Sequence, residues 1–410
     1  MARDQFGSAT SARRHDPARG TGRPFFAPKI WHGMTLGVWL KLLVRNRFAV
    51  SPRFWLAAAG ITVVSLVNSC CACLQSLLLG RRIAGTEIRE PPIFILGHWR
   101  SGTTLLQQLF AQDERLAFPT AYECFAPWSS LVTGWFVARW LRFLHPKRRP
   151  MDNMAAGPEQ PHEDEFALLN MGLPSPYAQL AFPNRPVAEE LLDFDGFSTV
   201  EIRRWQNGLL RFLRQLTWRA RGKPLVLKSP PHTARIRLLL ELFPDARFVH
   251  IVRDPRRVFP STVWLWQSLA EVHGLQRPRG EGLEKRVFRD LSRMYRALWK
   301  QKELIPPENF CEIRYEDLVR NPVAEMRRIY GRLRLGQFDQ VRPKIEQYFE
   351  REKTYQTNCF QLEPEAEAEI SRRWRDFIQT YQYGEQESPN VASAMAAVAP
   401  NANTSPLVAR

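Results

Sequence analysis

The sequence predicts an α/β fold, a three-layer α/β/α arrangement with helices on both faces of a central parallel sheet. Three observations carry that expectation. Short apolar runs at 93–96, 225–229, 247–252 and 309–316 alternate with stretches of helical period. The first run leads into a loop holding Gly97, Ser101 and Gly102, and a helical pattern starts at Thr103. Arg100, Lys228 and Arg253 each stand at or just past the end of a run, where open parallel sheets collect their ligands.

Taken in order, residues 1–28 are rich in Arg, Gly, Ser and Pro without apolar period and read as a disordered basic arm. They lack a signal-peptide layout. Residues 34–50 read as a short basic amphipathic helix with Leu36, Trp39, Leu40 and Leu43 on one side. Residues 56–79 carry no charged side chain and are long enough for a membrane helix. Asn68, Gln75 and several Ser and Cys leave a buried core segment open, and the basic flanks (Arg53, Arg81, Arg82) give no orientation. After the first strand and its helix, 113–197 is irregular and aromatic-rich (Phe118, Tyr122, Phe125, Trp128, Trp135, Trp140). Helical patterns lie at 138–144, in PHEDEFALLNMG (161–172), and at 198–221, where Ser198 and Glu201 form a capping box. Further helices are expected at 233–243, 256–269, 322–335 and 364–381. The expected organisation is a basic arm over 1–54, an apolar helix over 55–82, a main domain over 85–383 and a disordered tail over 384–410.

Composition narrows the partners. With 410 residues and 44% hydrophobic content the chain has an ample core and is not a disordered protein. The formal net charge is +17, and residues 1–54 hold ten Arg/Lys against two Asp. About half of the excess therefore lies before the main domain, where a basic arm serves nucleic acid, an anionic membrane surface or simply solubility. The six cysteines show neither metal-ligand pairing nor disulfide density, which points to a reduced, intracellular active domain without a metal.

The loop spells G-x-x-x-x-G-T-T from Gly97 to Thr104, a Walker-type phosphate loop with Thr103 in place of the lysine. Inward amides and the start of a helix still make an anion cradle. Without the lysine that reaches the β and γ phosphates, a nucleotide with a single 5'-phosphate group fits better than a triphosphate. The fold is thus of the phosphate-loop nucleotide-binding type. Arg253 at a strand end suits a phosphate monoester as a fixed fork of donors, and two anion sites on one sheet edge suit a nucleotide phosphorylated at both 3' and 5'.

Three segments together resemble the sulfotransferases that use 3'-phosphoadenosine 5'-phosphosulfate, in the broad branch with the bacterial and tyrosylprotein enzymes: RSGTTLL (100–106), FVHIVRDPRRVFPS (248–261) and IRYEDLVRNP (313–322). The resemblance covers roughly 91–383. It implies that Arg100, Ser101, Gly102, Thr103 and Thr104 hold the 5'-phosphosulfate, that Arg253 and Ser261 hold the 3'-phosphate, and that Tyr315 joins the donor site. In-line sulfuryl transfer also needs cations where the leaving charge develops, with Arg100 and Lys228 as candidates. For the base that takes the acceptor's proton, Glu123 ranks first, His232 second, and Glu163 or Glu165 next. The expectation is a membrane-associated sulfotransferase with its active domain cytoplasmic, acting on a hydroxyl of a glycan, lipid or other small acceptor, with no nucleic-acid partner. The alternatives are a phosphate-loop small-molecule kinase, a catalytically silent nucleotide-binding membrane scaffold, and a nucleic-acid binder using the basic arm. Adenosine 3',5'-bisphosphate should raise the melting temperature in a thermal-shift assay while ATP with Mg²⁺ does not; the reverse ranking would contradict the two-phosphate reading.

Overall fold

The computed structural model describes residues 29–144, 157–186, 188–352, 360 and 362–384. The expected disordered segments 1–28 and 385–410 lie outside the described residues. The chain runs α1 (Leu36–Arg45), α2 (Trp55–Ala84), β1 (Ile93–Leu96), α3 (Thr103–Phe110), α4 (Ala121–Phe125), α5 (Ser130–Leu144), α6 (Asp164–Asn170), α7 (Thr199–Arg219), β2 (Val226–Lys228), α8 (Ile236–Leu242), β3 (Arg247–Val252), α9 (Pro255–His273), α10 (Leu283–Gln301), β4 (Phe310–Arg314), α11 (Tyr315–Arg320), α12 (Pro322–Arg332), α13 (Phe338–Arg351), α14 (Pro364–Arg373) and α15 (Arg375–Thr380).

The strands form one sheet in the order β2-β1-β3-β4, with every pairing parallel. Alternate residues serve opposite faces, as a pleat demands. Phe94, Leu96, Leu227 and Phe248 join one apolar cluster with α6 to α10, while Ile93, Ile95, Val249 and Ile251 join a second with α3 and α11 to α13. Burial on both faces explains why these strands read as unbroken apolar runs. The chain leaves β1 for β2 on one side and returns to β3 on the other, so the loop after β1 sits at the switch point where such sheets bind ligands. The register sets Ile95 beside Lys228, which brings the end of β2 next to that loop.

Residues 29–50 pack into the same core. Trp31 is fully buried and its indole N–H donates to the His273 carbonyl at 2.6 Å, and Trp39 donates to Thr62 Oγ1 of α2 at 2.9 Å. The helix expected over 364–381 divides at Trp374, whose ring is buried and whose indole N–H donates to the Phe288 carbonyl at 3.1 Å. That carbonyl belongs to α10, a helix not anticipated from the sequence, which buries Val287, Leu291, Met294, Tyr295 and Leu298 along one side. The capping box of α7 is present: Ser198 Oγ accepts from the Glu201 amide at 3.3 Å, and Glu201 accepts from the Ser198 amide at 3.0 Å. Ser198→Ala should lower stability by about 1 kcal/mol, read as a shifted urea midpoint with nucleotide affinity unchanged.

Candidate active site

The loop between β1 and α3 is braced from several sides. The Gly97 amide donates to Thr233 Oγ1 at 2.8 Å, and both the amide and the hydroxyl of Ser101 donate to the His98 carbonyl, at 3.2 and 2.8 Å. Gly102 starts α3 with φ 103°, and no side chain caps the helix. The first amides of a helix have no acceptor within it, so those of Thr103 and Thr104 suit an anion. Gly102 is required on two counts, its left-handed backbone and the Tyr315 ring, whose Cδ2 would lie 2.3 Å from an added Cβ. Arg100 also takes a positive φ, 68°, which is uncommon for a residue with a Cβ. Arg253 Nη1 donates to the Arg100 carbonyl at 3.1 Å and stacks over Tyr315 at 4.1 Å, while Arg100 Nε donates to Ser261 Oγ at 2.7 Å. The structure thus brings Arg100, Arg253, Ser261 and Tyr315 together around Gly102.

A second cluster forms where α6 meets the segment after β2. Three successive carboxylates each meet a basic side chain from the last residue of β2 or the segment after it. Lys228 Nζ lies 2.6 Å from Glu163 Oε1, His232 Nε2 lies 2.6 Å from Asp164 Oδ2, and Arg235 donates through Nη1 and Nη2 to the Glu165 carboxylate at 2.9 and 3.3 Å. Ser229 ties the two segments again, donating to Asp164 at 3.0 Å and accepting from the Glu165 amide at 2.9 Å. Asp164 and Glu165 are fully buried, whereas the Glu163 side chain retains 16% exposure. Glu163 also accepts from the Tyr177 hydroxyl, which itself accepts from Trp99 Nε1 at 2.7 Å. Trp99 belongs to the loop, so one chain of hydrogen bonds joins it to Lys228.

The two carboxylate and imidazole residues ranked first as bases have other partners. Glu123 closes the capping box of α4 with Thr120, accepting at 2.9 and 3.0 Å, and pairs with Arg219 at 2.9 Å. His232 is buried in contact with Phe94 and Trp205 as well as Asp164. Trp99, Tyr177, Thr233 and Arg235 were not anticipated as site residues. The charge run Glu163-Asp164-Glu165 against Lys228, His232 and Arg235 is the one signal in the sequence that points to part of this set.

Burial shapes the protonation states. It pushes the Tyr177 hydroxyl well up, helped by the neighbouring Glu163, so Tyr177 keeps its proton and donates it. Burial also works against the Asp164 charge, but His232 and the Ser229 hydroxyl outweigh it and hold Asp164 below the usual carboxylate range. His98, sealed inside the loop, is pushed down to about 4 by burial.

A model of the sulfotransferase family matches residues 91–340. The chain belongs to the sulfotransferase family. It is 44% identical over 374 residues to the omega-hydroxy-beta-dihydromenaquinone-9 sulfotransferase Stf3 of Mycobacterium bovis and of Mycobacterium tuberculosis, covering 91% of this chain and 96% of either relative. The fold is similar to the crystal structures of sulfotransferase STF9 from Mycobacterium avium (TM-score 0.59, 19% identity, 85% of this chain and 96% of that one) and STF1 from M. tuberculosis (TM-score 0.55, 16%, 83% and 91%). The sulfotransferase assignment sets aside the kinase and the silent scaffold.

Because His98 titrates near 6.5 when unfolded and near 4 when folded, the unfolded sulfotransferase binds the extra proton between those values. Stability should therefore fall as pH drops through that window, by about 2 kcal/mol from pH 7 to 5. Urea melts at the two pH values should show that loss in the native enzyme and a smaller one in His98→Gln.

Proposed function

We propose that this sulfotransferase moves the sulfuryl group of 3'-phosphoadenosine 5'-phosphosulfate to the terminal hydroxyl of a lipid-like acceptor, at the cytoplasmic surface of a membrane. The observation that carries the chemistry is the pairing of Lys228 with Glu163 at the switch point, linked through Tyr177 and Trp99 to the phosphate loop. Support for the donor comes from the two anion-compatible groupings, the uncapped start of α3 and the cluster of Arg100, Arg253 and Ser261. The acceptor class rests on the relative that acts on a hydroxylated menaquinone, aligned along nearly all of its length, and on the apolar surface of α2.

Glu163 is the favoured base. It is the one carboxylate of the acidic run left partly exposed, whereas Glu123 is committed to a helix cap and His232 is sealed beneath Asp164. Glu163 takes the proton from the acceptor hydroxyl as its oxygen bonds to sulfur and the bond from sulfur to the bridging phosphate oxygen breaks. The negative charge left on the nucleotide is met by Lys228, whose ammonium is already fixed by Glu163 at 2.6 Å and so needs little reorganisation. Tyr177 fixes the other carboxylate oxygen and orients it. Arg100 interacts with Ser261 rather than with the Glu163 cluster, so its role here is to shape the nucleotide end of the site.

Glu163→Gln should lower kcat about 100-fold or more with the affinity for adenosine 3',5'-bisphosphate unchanged. Arg253→Ala should weaken that affinity about tenfold or more. Both are read with radiolabelled donor, a hydroxylated prenylquinone and calorimetric titration. Transfer to a soluble glycan but not to the prenylquinone would overturn the acceptor class, and full turnover by Glu163→Gln would overturn the base.

A further inference from the structure

α2 is apolar along most of its length and buries Ile61 and Ile83 as well as polar groups. Its inward side carries Thr62, Asn68, Ser69 and Gln75, each with a partner. Thr62 accepts from Trp39, Ser69 Oγ accepts from the Leu36 amide at 2.9 Å, and Asn68 donates to the carbonyls of His32 and Met34 at 2.6 and 3.1 Å. Gln75 donates to Gln215 of α7 and accepts from the Leu131 amide of α5, both at 2.9 Å. Its outward side is apolar over the whole length: Trp55, Leu56, Val63, Val67, Leu74 and Leu77 are exposed, Leu77 to 84%. These positions recur at the three- and four-residue spacing of one helix face. The neighbouring α1 adds exposed Val44, with Phe48 just beyond its end, and α5 adds Trp135, exposed to 80%, and Phe136. A monomer rarely leaves an apolar patch of this extent in water.

Charge indicates what covers it. No acidic residue occurs between Asp16 and Glu87, while Lys41, Arg45, Arg47, Arg53, Arg81 and Arg82 flank the apolar side chains. Arg45 on α1 and Arg204 on α7 repel Lys41 and lower its pKa, a strain that anionic headgroups would relieve. A second copy packed on the same face by a twofold axis would set these bases against their own kind.

We infer that α2, with the adjoining parts of α1 and α5, is an in-plane docking surface for an anionic lipid bilayer, and that α2 lies in the interface without crossing it. This deepens the membrane assignment made above and is independent of the acceptor. The helix, about 45 Å long by its 1.5 Å rise per residue, is long enough to span. However, spanning would tear Asn68, Ser69 and Gln75 from partners in the segment before α1 and on α1, α5 and α7, or draw those elements into the hydrocarbon, where unmet polar groups are expensive. Lying flat keeps every one of these bonds and immerses only the apolar side.

The test is flotation of the full chain with sealed vesicles of phosphatidylcholine, with or without phosphatidylglycerol, followed by labelling of Arg53→Cys and Arg82→Cys variants with a membrane-impermeant maleimide and peptide mapping. The expected result is binding at least about tenfold stronger to the anionic vesicles and weakened by salt. Both ends of α2 should be labelled from outside, and Val67→Glu with Leu77→Glu should lose flotation while keeping the melting temperature and affinity for adenosine 3',5'-bisphosphate. Protection of one end would mean a spanning helix and overturn the inference. Absence of binding to either vesicle, or a stable dimer that the two glutamates dissociate, would overturn it as well. None of these readings depends on sulfuryl transfer, so a wrong acceptor class would leave them unchanged.

Discussion

The site depends on three successive side-chain pairings between the start of α6 and the stretch that begins at the last residue of β2. Glu165 and Arg235 are both fully buried, and removing one partner from such a pair costs about 3–5 kcal/mol because the other is left charged in an apolar interior. Asp164 and His232 repeat the arrangement one step nearer the sheet end, with the Ser229 hydroxyl donating to the other carboxylate oxygen. The third pair, Glu163 with Lys228, inherits its position from the two beneath it. The carboxylate and ammonium to which the proposed reaction assigns the base and the leaving charge are thereby held by more deeply buried neighbours. The same sealed pairing that is costly to break also fixes geometry, and geometry is what sulfuryl transfer asks of its scaffold.

The grouping around Gly102 is built differently, through backbone conformation. Arg100 and Gly102 both take positive φ, and the Arg253 guanidinium secures the first while the Tyr315 ring closes over the second. Arg253 therefore links the end of β3, the loop after β1 and α11 in a single contact set. Any anion that draws on Arg253 competes with or reinforces its bond to the Arg100 carbonyl.

Much of the architecture was legible in the sequence because parallel strands buried on both faces leave runs such as IFIL and RFVHIV, the first followed by a glycine-bearing loop and the second by Asp254-Pro255, which opens α9. Ser198 with Glu201 and the acidic opening of α6 were legible for the same local reason, since caps are written within four residues. The amphipathic stripe of α10 is equally plain in VFRDLSRMYRAL and was not anticipated. Long-range partnerships were less visible. That Glu123 would pair with Arg219, or that Tyr177 would reach Glu163, depends on segments brought together only by the fold, whereas the Thr120–Glu123 cap is local and was overlooked. The split of the last helix at Trp374 has a tertiary cause too, the bond from its indole to α10.

The packing of the amino-terminal region bears on how the protein can be handled. A boundary at residue 85 looks convenient for trimming away an apolar helix. Cutting there would strip Trp31, Trp39 and Ile61 from the core and leave Gln215 without Gln75. The greasy helix is part of the folding unit, so solubility has to come from recharging its outer side and not from its removal.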